Sequence, residues 1–538
     1  MSETEPPSTV PALLAGHFAA RAERDAVAMV GETITYAELD ARTSEMARAL
    51  LAAGAGKGAR IALLAPDGIF WVTAFLAALR MGALITVVST LCTPRELAHI
   101  LRNSDVQYLL AARRFLSHDY GEKLQTAFPE LAGQAPGAIR LEGAPFLRDV
   151  WMDDVEGLSW AAPREDLLAL GEAPGAPGPA ILAAIEAEVT PADDAVIVYT
   201  SGSTSMPKAV VHSQWTLARH PRELAKLFVL KPDDRMMPML PAFWLGGMAM
   251  LMQVMSKGAT LVYPASPDHA DLLAAIETLD VNRVNGWGDG LARLREAAAA
   301  KGIDVDAIMG LGPFRDEAGD LIPPQLSSNL LGMSETFAPH SGVPINVRLP
   351  EDKPGASGPP VNRFERRIVD PDTGTVLGAN EVGELHLRGG GLMSGFYKKR
   401  PCDVFTPDGF YPTGDLCRID EDDYLTFVAR RNDMIKTRAA NVSRLEVEAA
   451  LARLPGVAMA VVTGLPHAEY GEMVAAAVVP AAGAEPDEAG LRAALKDEIS
   501  SYKIPRRIVF VEEAAIPRTA TGKLRLHELG EMIAAKLG

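Results

Sequence analysis

Tyr199-Thr200-Ser201-Gly202-Ser203-Thr204-Ser205-Met206-Pro207-Lys208 is the stretch from which the fold of this chain can be inferred. It follows the apolar run 195–198 and precedes Val210-Val211, so it predicts a turn between two short buried strands. Backbone N–H groups and Ser or Thr hydroxyls donate to phosphate oxygens, and the ammonium of Lys208 supplies a point charge. The composition therefore indicates a phosphate-binding loop, for which a plain solvated turn is the ordinary alternative.

The stretch is not the commoner nucleotide-binding loop, because Gly-x-x-x-x-Gly-Lys-Ser/Thr occurs nowhere in the chain. It resembles the phosphate loop of the adenylate-forming (AMP-binding) superfamily, which contains acyl-CoA and aryl-CoA synthetases, peptide-synthetase adenylation domains and firefly luciferase. The usual pattern there is Thr-Ser-Gly-Ser/Thr-Thr-Gly-x-Pro-Lys-Gly. Ser205 and Ala209 replace two of its glycines, which makes this loop less free to adopt positive φ.

Five further segments follow in the superfamily's order. Gly332-Met333-Ser334-Glu335 resembles its Gly-Met-Thr-Glu turn, and segment 383–397 matches a structural motif. Tyr411-Pro412-Thr413-Gly414-Asp415 is close to its Tyr-x-Thr-Gly-Asp motif. Ala429-Arg430-Arg431-Asn432-Asp433-Met434-Ile435-Lys436 is similar to its hinge, and Pro517-Arg518-Thr519-Ala520-Thr521-Gly522-Lys523 to its terminal Pro-x-Thr-x-x-Gly-Lys motif. Each segment alone also fits an ordinary turn, but six in one order argue against coincidence.

The resemblance implies a nucleotide site assembled from these segments. The implied nucleotide-binding residues are Thr200, Ser201, Gly202, Ser203, Thr204, Lys208, Gly332, Met333, Ser334, Asp415, Arg430 and Lys436. The implied catalytic residues are Thr200, Ser334, Glu335 and Lys523. In this assignment Asp415 accepts from both ribose hydroxyls, Glu335 holds Mg²⁺ together with phosphate oxygens, and Lys523 bridges the substrate carboxylate and the α-phosphate.

An apolar segment after the loop predicts the substrate pocket. Segment 240–248 combines large apolar side chains with two glycines, and it also fits the entry to a core helix. By resemblance its residues line an acyl pocket, with Trp244 where relatives commonly have histidine. The predicted pocket residues are Phe243, Trp244, Gly247, Trp287 and Gly288. Such a roomy apolar cavity suits a hydrophobic acyl or aryl chain.

The predicted fold is α/β, with a large N-terminal domain over residues 1–431 and a small mobile α+β domain over residues 432–538. From Thr35 onwards the sequence predicts a helix that stops at Gly54, a strand over 60–64, a helix near 69–79 and a strand around 83–88. This alternation predicts a mainly parallel sheet covered by helices. Capping boxes are predicted at Thr35 and at Ser443. The Pro- and Gly-rich stretch 128–179 is expected to form surface connections. By resemblance the small domain carries Lys523 and swings about Asn432.

Composition excludes several other classes of protein. The chain has 538 residues and a formal net charge of −17, which argues against a nucleic-acid-binding surface. Its three cysteines are too few and too scattered for a disulfide framework or a metal cluster. The sequence offers neither a signal peptide nor a transmembrane span, so a cytoplasmic location is expected. It is silent on oligomeric state, and a homodimer is kept as an option.

The function that the resemblance implies is the ATP-dependent activation of a hydrophobic carboxylic acid to an acyl-adenylate, followed by transfer to coenzyme A. Arg438 and Ala439 stand in the expected CoA path, where CoA-using relatives carry a glycine. A carrier-protein thiol or an amine therefore remains an alternative acceptor. A non-catalytic relative that binds an acyl group or a nucleotide is the third reading. The sequence does not specify the length of the acid, its ring count or the pathway.

Overall fold

The computed structural model describes residues 6–200, 207–286, 288–371, 373–430, 435–437, 440–518 and 524–537. For residues 288, 289, 429, 430, 441 and 527 only the backbone is described.

The helices of the described ranges alternate with strands throughout the first 300 residues, as the βαβ pattern predicts. They are α1 Val10–Ala20, α2 Tyr36–Ala52, α3 Ile69–Arg80, α4 Pro94–Asn103, α5 Tyr120–Ala127, α6 Arg164–Glu172, α7 Pro179–Ala187, α8 Gln214–Leu227, α9 Leu245–Lys257, α10 His269–Thr278, α11 Gly288–Ala300, α12 Arg444–Ala452, α13 Glu488–Ala494 and α14 Leu526–Leu537. Among the residues that the structure describes, no helix combines the length and the hydrophobicity of a membrane span.

The strands are short, as is usual for a packed α/β protein. They are β1 Asp25–Met29, β2 Glu32–Thr35, β3 Arg60–Leu64, β4 Leu84–Val87, β5 Tyr108–Ala111, β6 Arg114–Phe115, β7 His118–Asp119, β8 Asp149–Met152, β9 Ala162–Pro163, β10 Asp194–Thr200, β11 Lys208–Ser213, β12 Arg235–Pro238, β13 Thr260–Tyr263, β14 Arg283–Asn285, β15 Leu331–Met333, β16 Ala338–Ser341, β17 Glu365–Val369, β18 Gly383–Arg388, β19 Gly395–Phe396, β20 Tyr411–Ile419, β21 Leu425–Arg430, β22 Ile435–Thr437, β23 Ala440–Val442, β24 Val457–His467, β25 Gly471–Pro480 and β26 Arg507–Phe510.

Two helix-covered sheets form the core of the N-terminal part. The eight-stranded sheet has the order β19-β11-β10-β4-β3-β5-β8-β9, and the five-stranded sheet has the order β14-β12-β13-β1-β2. Strands β9, β8, β5, β3, β4 and β10 are parallel neighbours. At one edge β11 runs antiparallel to β10, and β19 runs antiparallel to β11. The prediction of a mainly parallel, helix-covered sheet is confirmed. A four-stranded antiparallel sheet, β17-β18-β20-β21, completes this part of the chain.

Local sequence signals placed the early elements well. The Thr35 hydroxyl accepts from the N–H of Glu38 and the Glu38 carboxylate accepts from the N–H of Thr35, which is the predicted capping box. Strand β3 has the predicted bounds. By contrast, stretch 128–179 is not merely surface connection, because β8 and α6 lie within it and Trp160 is fully buried. Strand β8 has only four residues, three of them apolar, which are too few to establish a period.

The C-terminal part is a separate small domain with its own sheet. Strands β23, β22, β25 and β24 are neighbours in that order, and β26 pairs in parallel with β25. Alternate residues of β24 and β25 point to opposite faces, one packed with α12 and α13 and the other with α14. At Ser443 only half of the predicted capping box forms: the Ser443 hydroxyl accepts from the N–H of Glu446, while the Glu446 carboxylate accepts from Lys503.

Candidate active site

The phosphate-loop prediction falls on a β-hairpin. Strands β10 and β11 are antiparallel, and Thr200 pairs with Lys208 at the last register position before the turn. Residues 201–206, which include the predicted ligands Ser201, Gly202, Ser203 and Thr204, lie outside the described residues. The Lys208 ammonium lies 5.3 Å from the centre of the Phe396 ring. The structure therefore places the two ends of the predicted loop side by side.

Helix α4 supports both ends of this hairpin. Asn103 donates to the Tyr199 hydroxyl at 2.9 Å, and the Ser104 hydroxyl lies 2.8 Å from the same oxygen. His99 of the same helix is hydrogen-bonded to the backbone of Pro207, and burial lowers its pKa below the ordinary value. Helix α4 is thus a rigid element that fixes where the loop begins and ends.

The Gly332-Met333-Ser334-Glu335 segment forms a tight hairpin between β15 and β16. A Cβ on Gly332 would lie 2.4 Å from the carbonyl oxygen of Ala338, so this position tolerates only glycine without displacement. The turn also holds Phe337 at φ 50° and Ala338 at φ 79°, which L-residues rarely adopt. The fully buried Phe337 ring anchors the strained turn.

His212 connects this turn to the phosphate-loop hairpin. Its Nε2 lies 2.7 Å from the carbonyl oxygen of Ser334, and its ring meets the Phe337 ring edge to face at 5.1 Å. Burial lowers the pKa of His212 to about 4, so the ring is neutral at pH 7. A carbonyl can only accept, so the Nε2–H tautomer donates this bond. Strand β11 and the turn are therefore held in one fixed relation.

Glu335 is held by groups from two other segments. The Tyr411 hydroxyl donates to Glu335 Oε1 at 3.3 Å, and the N–H of Met393 donates to the Glu335 carbonyl at 2.7 Å. Tyr411 belongs to the predicted Tyr-x-Thr-Gly-Asp motif. Two motifs that are distant in sequence thus meet at one carboxylate, and the Tyr411 hydroxyl is a contributor that sequence reasoning did not assign.

The predicted ribose ligands share one register position. Asp415 of β20 pairs with Arg430 of β21, whose backbone alone is described. Asp415 is 2% exposed, and its N–H donates to the Thr413 hydroxyl at 3.1 Å. Gly414 has φ 76° and donates its N–H to Glu384 at 3.0 Å. Asp415 and the Arg430 backbone are therefore neighbours across the β20–β21 pair.

The hinge region is described only in part. Lys436 lies in β22, its N–H donates to Glu472 at 2.5 Å, and its ammonium lies 4.9 Å from the centre of the Phe427 ring in β21. The predicted hinge residue Asn432, the predicted CoA-path residues Arg438 and Ala439, and the predicted catalytic residue Lys523 lie outside the described residues. Lys436 of β22 therefore lies against β21, across the predicted hinge.

The predicted pocket segment enters helix α9 through a packed turn. Phe243 is 5% exposed within the core and meets the half-buried Trp244 edge to face at 5.6 Å. A Cβ on Gly247 would lie 2.3 Å from the Pro241 carbonyl oxygen, so the glycine allows α9 to press against the turn. Trp287 lies outside the described residues, and Gly288 begins α11.

A buried carboxylate that the sequence did not single out supports this turn. Asp67 follows β3, and its Oδ1 accepts from the N–H of Ala242 at 3.0 Å. Burial raises the pKa of Asp67 to about 7. Burial, and after it the nearby Asp67 charge, raises the pKa of Tyr263 at the end of β13. No period or motif marks Asp67, which meets Ala242 only through the tertiary fold.

Glu335 can serve as a magnesium ligand only together with oxygens of a bound substrate. In the described part of the chain no group of three or more His, Cys, Asp or Glu side chains is arranged to hold a metal. Mg²⁺ commonly takes one or two carboxylates, several waters and the oxygens of a bound polyphosphate. The half-buried carboxylate of Glu335, in a segment that is predicted to bind phosphate, suits that arrangement.

Comparison with known proteins identifies the family. The model of the AMP-binding enzyme family matches residues 16–397, and the model of its C-terminal domain matches residues 446–523. The chain belongs to the AMP-binding enzyme family. The predictions of the adenylate-forming superfamily, of its acyl-CoA ligase branch and of an AMP-forming acid–thiol ligase are confirmed.

Relatives of this AMP-binding enzyme match over nearly its whole length. The 3-hydroxybenzoate–CoA ligase of Aromatoleum sp. (strain CIB) is 29% identical, over 96% of this chain and 94% of its own. The mitochondrial medium-chain acyl-CoA ligase ACSF2 of Rattus norvegicus is 27% identical, over 95% and 85%. The amide bond synthetase McbA of Marinactinospora thermotolerans shares the fold with a TM-score of 0.75, 23% identity and coverage of 97% and 99%. The predicted fold class is confirmed.

Proposed function

We propose that this AMP-binding enzyme activates a hydrophobic carboxylic acid with ATP and transfers the acyl group from the adenylate to coenzyme A. The observation that supports the proposal is the joining of three motifs at one place. The His212 ring ties the phosphate-loop hairpin to Ser334, and the Tyr411 hydroxyl ties the ribose motif to Glu335. A site that must hold a triphosphate, a ribose and a carboxylate at once needs such cross-links.

In the first step the protein contributes positioning of the reactants and neutralisation of their charge. The substrate carboxylate attacks the α-phosphorus, the bond to the β-phosphate oxygen breaks, and pyrophosphate leaves. In the proposal residues 200–204 and Lys208 hold the leaving phosphates, with Gly332, Met333 and Ser334 at the α-phosphate. Asp415, Arg430 and Lys436 hold the ribose and its phosphate. Lys523 bridges the carboxylate and the α-phosphate.

Mg²⁺ belongs to this proposal. Bound to phosphate oxygens and Glu335, the ion would offset the charge that develops on the transferring group. The Tyr411 hydroxyl donates to one oxygen of the Glu335 carboxylate and so orients it.

In the second step we propose that the small domain, from residue 432 onwards, turns about Asn432 and a thiol attacks the acyl carbon. The acyl–oxygen bond breaks, AMP leaves, and a thioester forms. The thiol proton leaves with solvent or with a base. Arg438 and Ala439 lie in the proposed path of CoA. An amide bond synthetase shares this fold, so the fold alone leaves the acceptor open, and an amine or a carrier-protein thiol stays the second candidate.

The class of carboxylic acid that we propose as substrate is based on the segment around Trp244. Phe243, Trp244, Gly247, Trp287 and Gly288 are the proposed pocket residues. Trp244 and Phe243 place an apolar aromatic wall at the entry to α9, which suits an aryl or medium-chain acyl group. The names of two relatives, an aryl-CoA ligase and a medium-chain acyl-CoA ligase, point to the same range. The homodimer and the cytoplasmic location stay predictions.

The experiment that tests the proposal is ATP–pyrophosphate exchange across a panel of benzoic, cinnamic and C6–C12 acids, with CoA then added to each acid that responds. Lys523→Ala and Glu335→Gln serve as inactive controls. We expect exchange that depends on the acid and is abolished in Lys523→Ala, followed by thioester. If an acid supports exchange but the product is an amide or free adenylate and no thioester, the acceptor is a group other than CoA. ATP binding without exchange for any acid would contradict the proposal.

A further inference from the structure

The strongest group of buried charges outside the proposed site joins the two domains. Lys503 of the small domain donates to Glu96 Oε1 at 3.0 Å and to Glu446 Oε1 at 2.6 Å. The Ser500 hydroxyl donates to Glu96 Oε2 at 2.6 Å. The side chains of Lys503, Glu96 and Glu446 are 3%, 7% and 3% exposed. Two carboxylates and one ammonium are thus desolvated together at a domain boundary.

Desolvated charges of this kind are stable only while their partners stay in place. Removing one partner leaves a buried charge without compensation, which is far costlier than breaking a pair at the surface. Glu96 belongs to the large domain, whereas Ser500, Lys503 and Glu446 belong to the small one. The cluster therefore exists only in this relative orientation of the domains, and any rotation of the small domain must separate Glu96 from Lys503.

Two further contacts lie beside the cluster. Tyr502 meets the pocket residue Trp244 edge to face at 5.9 Å. Arg95, next to Glu96 on α4, pairs with Glu498 of the small domain. Since α4 also holds Tyr199 and Pro207, the small domain docks on the helix that supports the phosphate loop, and its aromatic side chain reaches the acyl-pocket wall.

The docked face of the small domain can be identified from its sheet. Ile499 and Ile504, which flank the cluster, pack with α12 and α13 on one face of β24 and β25. Leu524 packs on the opposite face with α14, and it forms an isolated bridge with Arg518. The described ends of the terminal motif therefore lie on the face that is turned away from the docked one.

We infer that Lys503 and Glu96 are positioning residues for thioester formation, because their buried ion pair holds the small domain in the orientation that this step uses. The inference rests on the proposed function. The first step needs the terminal motif at the site, but the described ends of this motif lie on the face opposite the docked one. The docked orientation therefore belongs to the second step. Losing the pair depopulates this orientation and leaves the adenylating orientation accessible.

The test compares the two half-reactions in Lys503→Met and Glu96→Gln. ATP–pyrophosphate exchange measures adenylation, and single-turnover transfer from the preformed acyl-adenylate to CoA measures the second step. We expect transfer to fall about tenfold or more, with exchange within about twofold of wild type. Glu96→Asp, which keeps the charge, should recover part of the transfer rate. Lys226→Met, which breaks an exposed pair with Glu223 in the large domain, should leave both rates unchanged.

Three outcomes would overturn the inference. Equal loss in both half-reactions, with a lower melting temperature, would make the cluster purely structural. Loss of exchange with transfer intact would assign the orientation to the first step. Wild-type rates in both variants would remove any role in positioning. Absence of exchange in the wild-type enzyme is a different result, because it contradicts the proposed function and not the positioning role.

Discussion

Substituting Gly332 by alanine should displace the turn that carries Ser334 and Glu335. The added Cβ would lie 2.4 Å from the Ala338 carbonyl oxygen, 2.5 Å from its carbon and 2.6 Å from the nitrogen of Pro339. Ordinary carbon contacts are about 3.5 Å, so the two strands of the hairpin must separate by roughly 1 Å. These neighbours are backbone atoms, and no side chain can rotate away to relieve the overlap.

The expected magnitude follows from two sources. Overpacking of this kind costs about 1–3 kcal/mol of unfolding free energy. A shift of about 1 Å in a positioned group can cost roughly 100-fold in rate. The Ser334 carbonyl must also keep its 2.7 Å contact with the buried His212 ring, which cannot follow the turn freely.

The assay is acid-dependent ATP–pyrophosphate exchange together with thermal unfolding. Gly16→Ala is the matched control, because a Cβ at this position in α1 meets nothing within 4 Å. The control should keep full exchange and gain roughly 0.5–1 kcal/mol of stability from better helix propensity. A Gly332→Ala enzyme with wild-type exchange and an unchanged melting temperature would show that the added Cβ does not displace the turn.

Three smaller changes test separate contacts. Tyr411→Phe removes the donor to Glu335 and should slow exchange roughly two- to thirteenfold, the equivalent of one hydrogen bond of about 0.5–1.5 kcal/mol; an unchanged rate would exclude a role in orienting Glu335. Asp415→Asn should raise the KM for ATP more than it lowers exchange at saturation, and equal effects on both would argue against ribose binding. Asp67→Asn should remove a pH dependence of stability: the native carboxyl, with its pKa raised to about 7, keeps a proton that the unfolded chain has already lost, so wild-type stability falls as pH rises from about 4 to 7. Urea unfolding at pH 5 and pH 7 gives the difference in unfolding free energy between Asp67→Asn and wild type. This difference should shift in favour of the variant by roughly 1.4 kcal/mol per pH unit, and the same difference at both pH values would contradict the burial of Asp67.

Local elements were predictable because their causes are local. The Thr35 capping box, the bounds of β3 and the Gly54 stop after α2 follow from side chains within a few residues of one another. Helix α12 shows the limit of such reasoning. Its start at Ser443 was visible, but Glu446 gave up the second bond of the box to Lys503, 57 residues further on. A charged ammonium competes better for a carboxylate than a neutral backbone N–H does.

Site contacts between distant segments were not predictable. The order of motifs indicated which segments meet, yet it said nothing of the Tyr411 hydroxyl, the His212 ring or Asp67, whose partners lie from 76 to 175 residues away. None of these contacts leaves a period or a spacing in the sequence. The link between Glu96 and Lys503, 407 residues apart, depends in addition on the orientation of a whole domain.

The acyl-adenylate intermediate is tested most directly by tracing one oxygen atom of the substrate carboxylate. An acid found active in the exchange panel is labelled with ¹⁸O in its carboxylate and turned over with ATP and CoA, and the AMP is analysed by mass spectrometry. Attack of the carboxylate on the α-phosphorus, followed by thiolysis at the acyl carbon, predicts AMP that carries one ¹⁸O atom. Unlabelled AMP, or the appearance of ADP with label in inorganic phosphate, would contradict an acyl-adenylate intermediate.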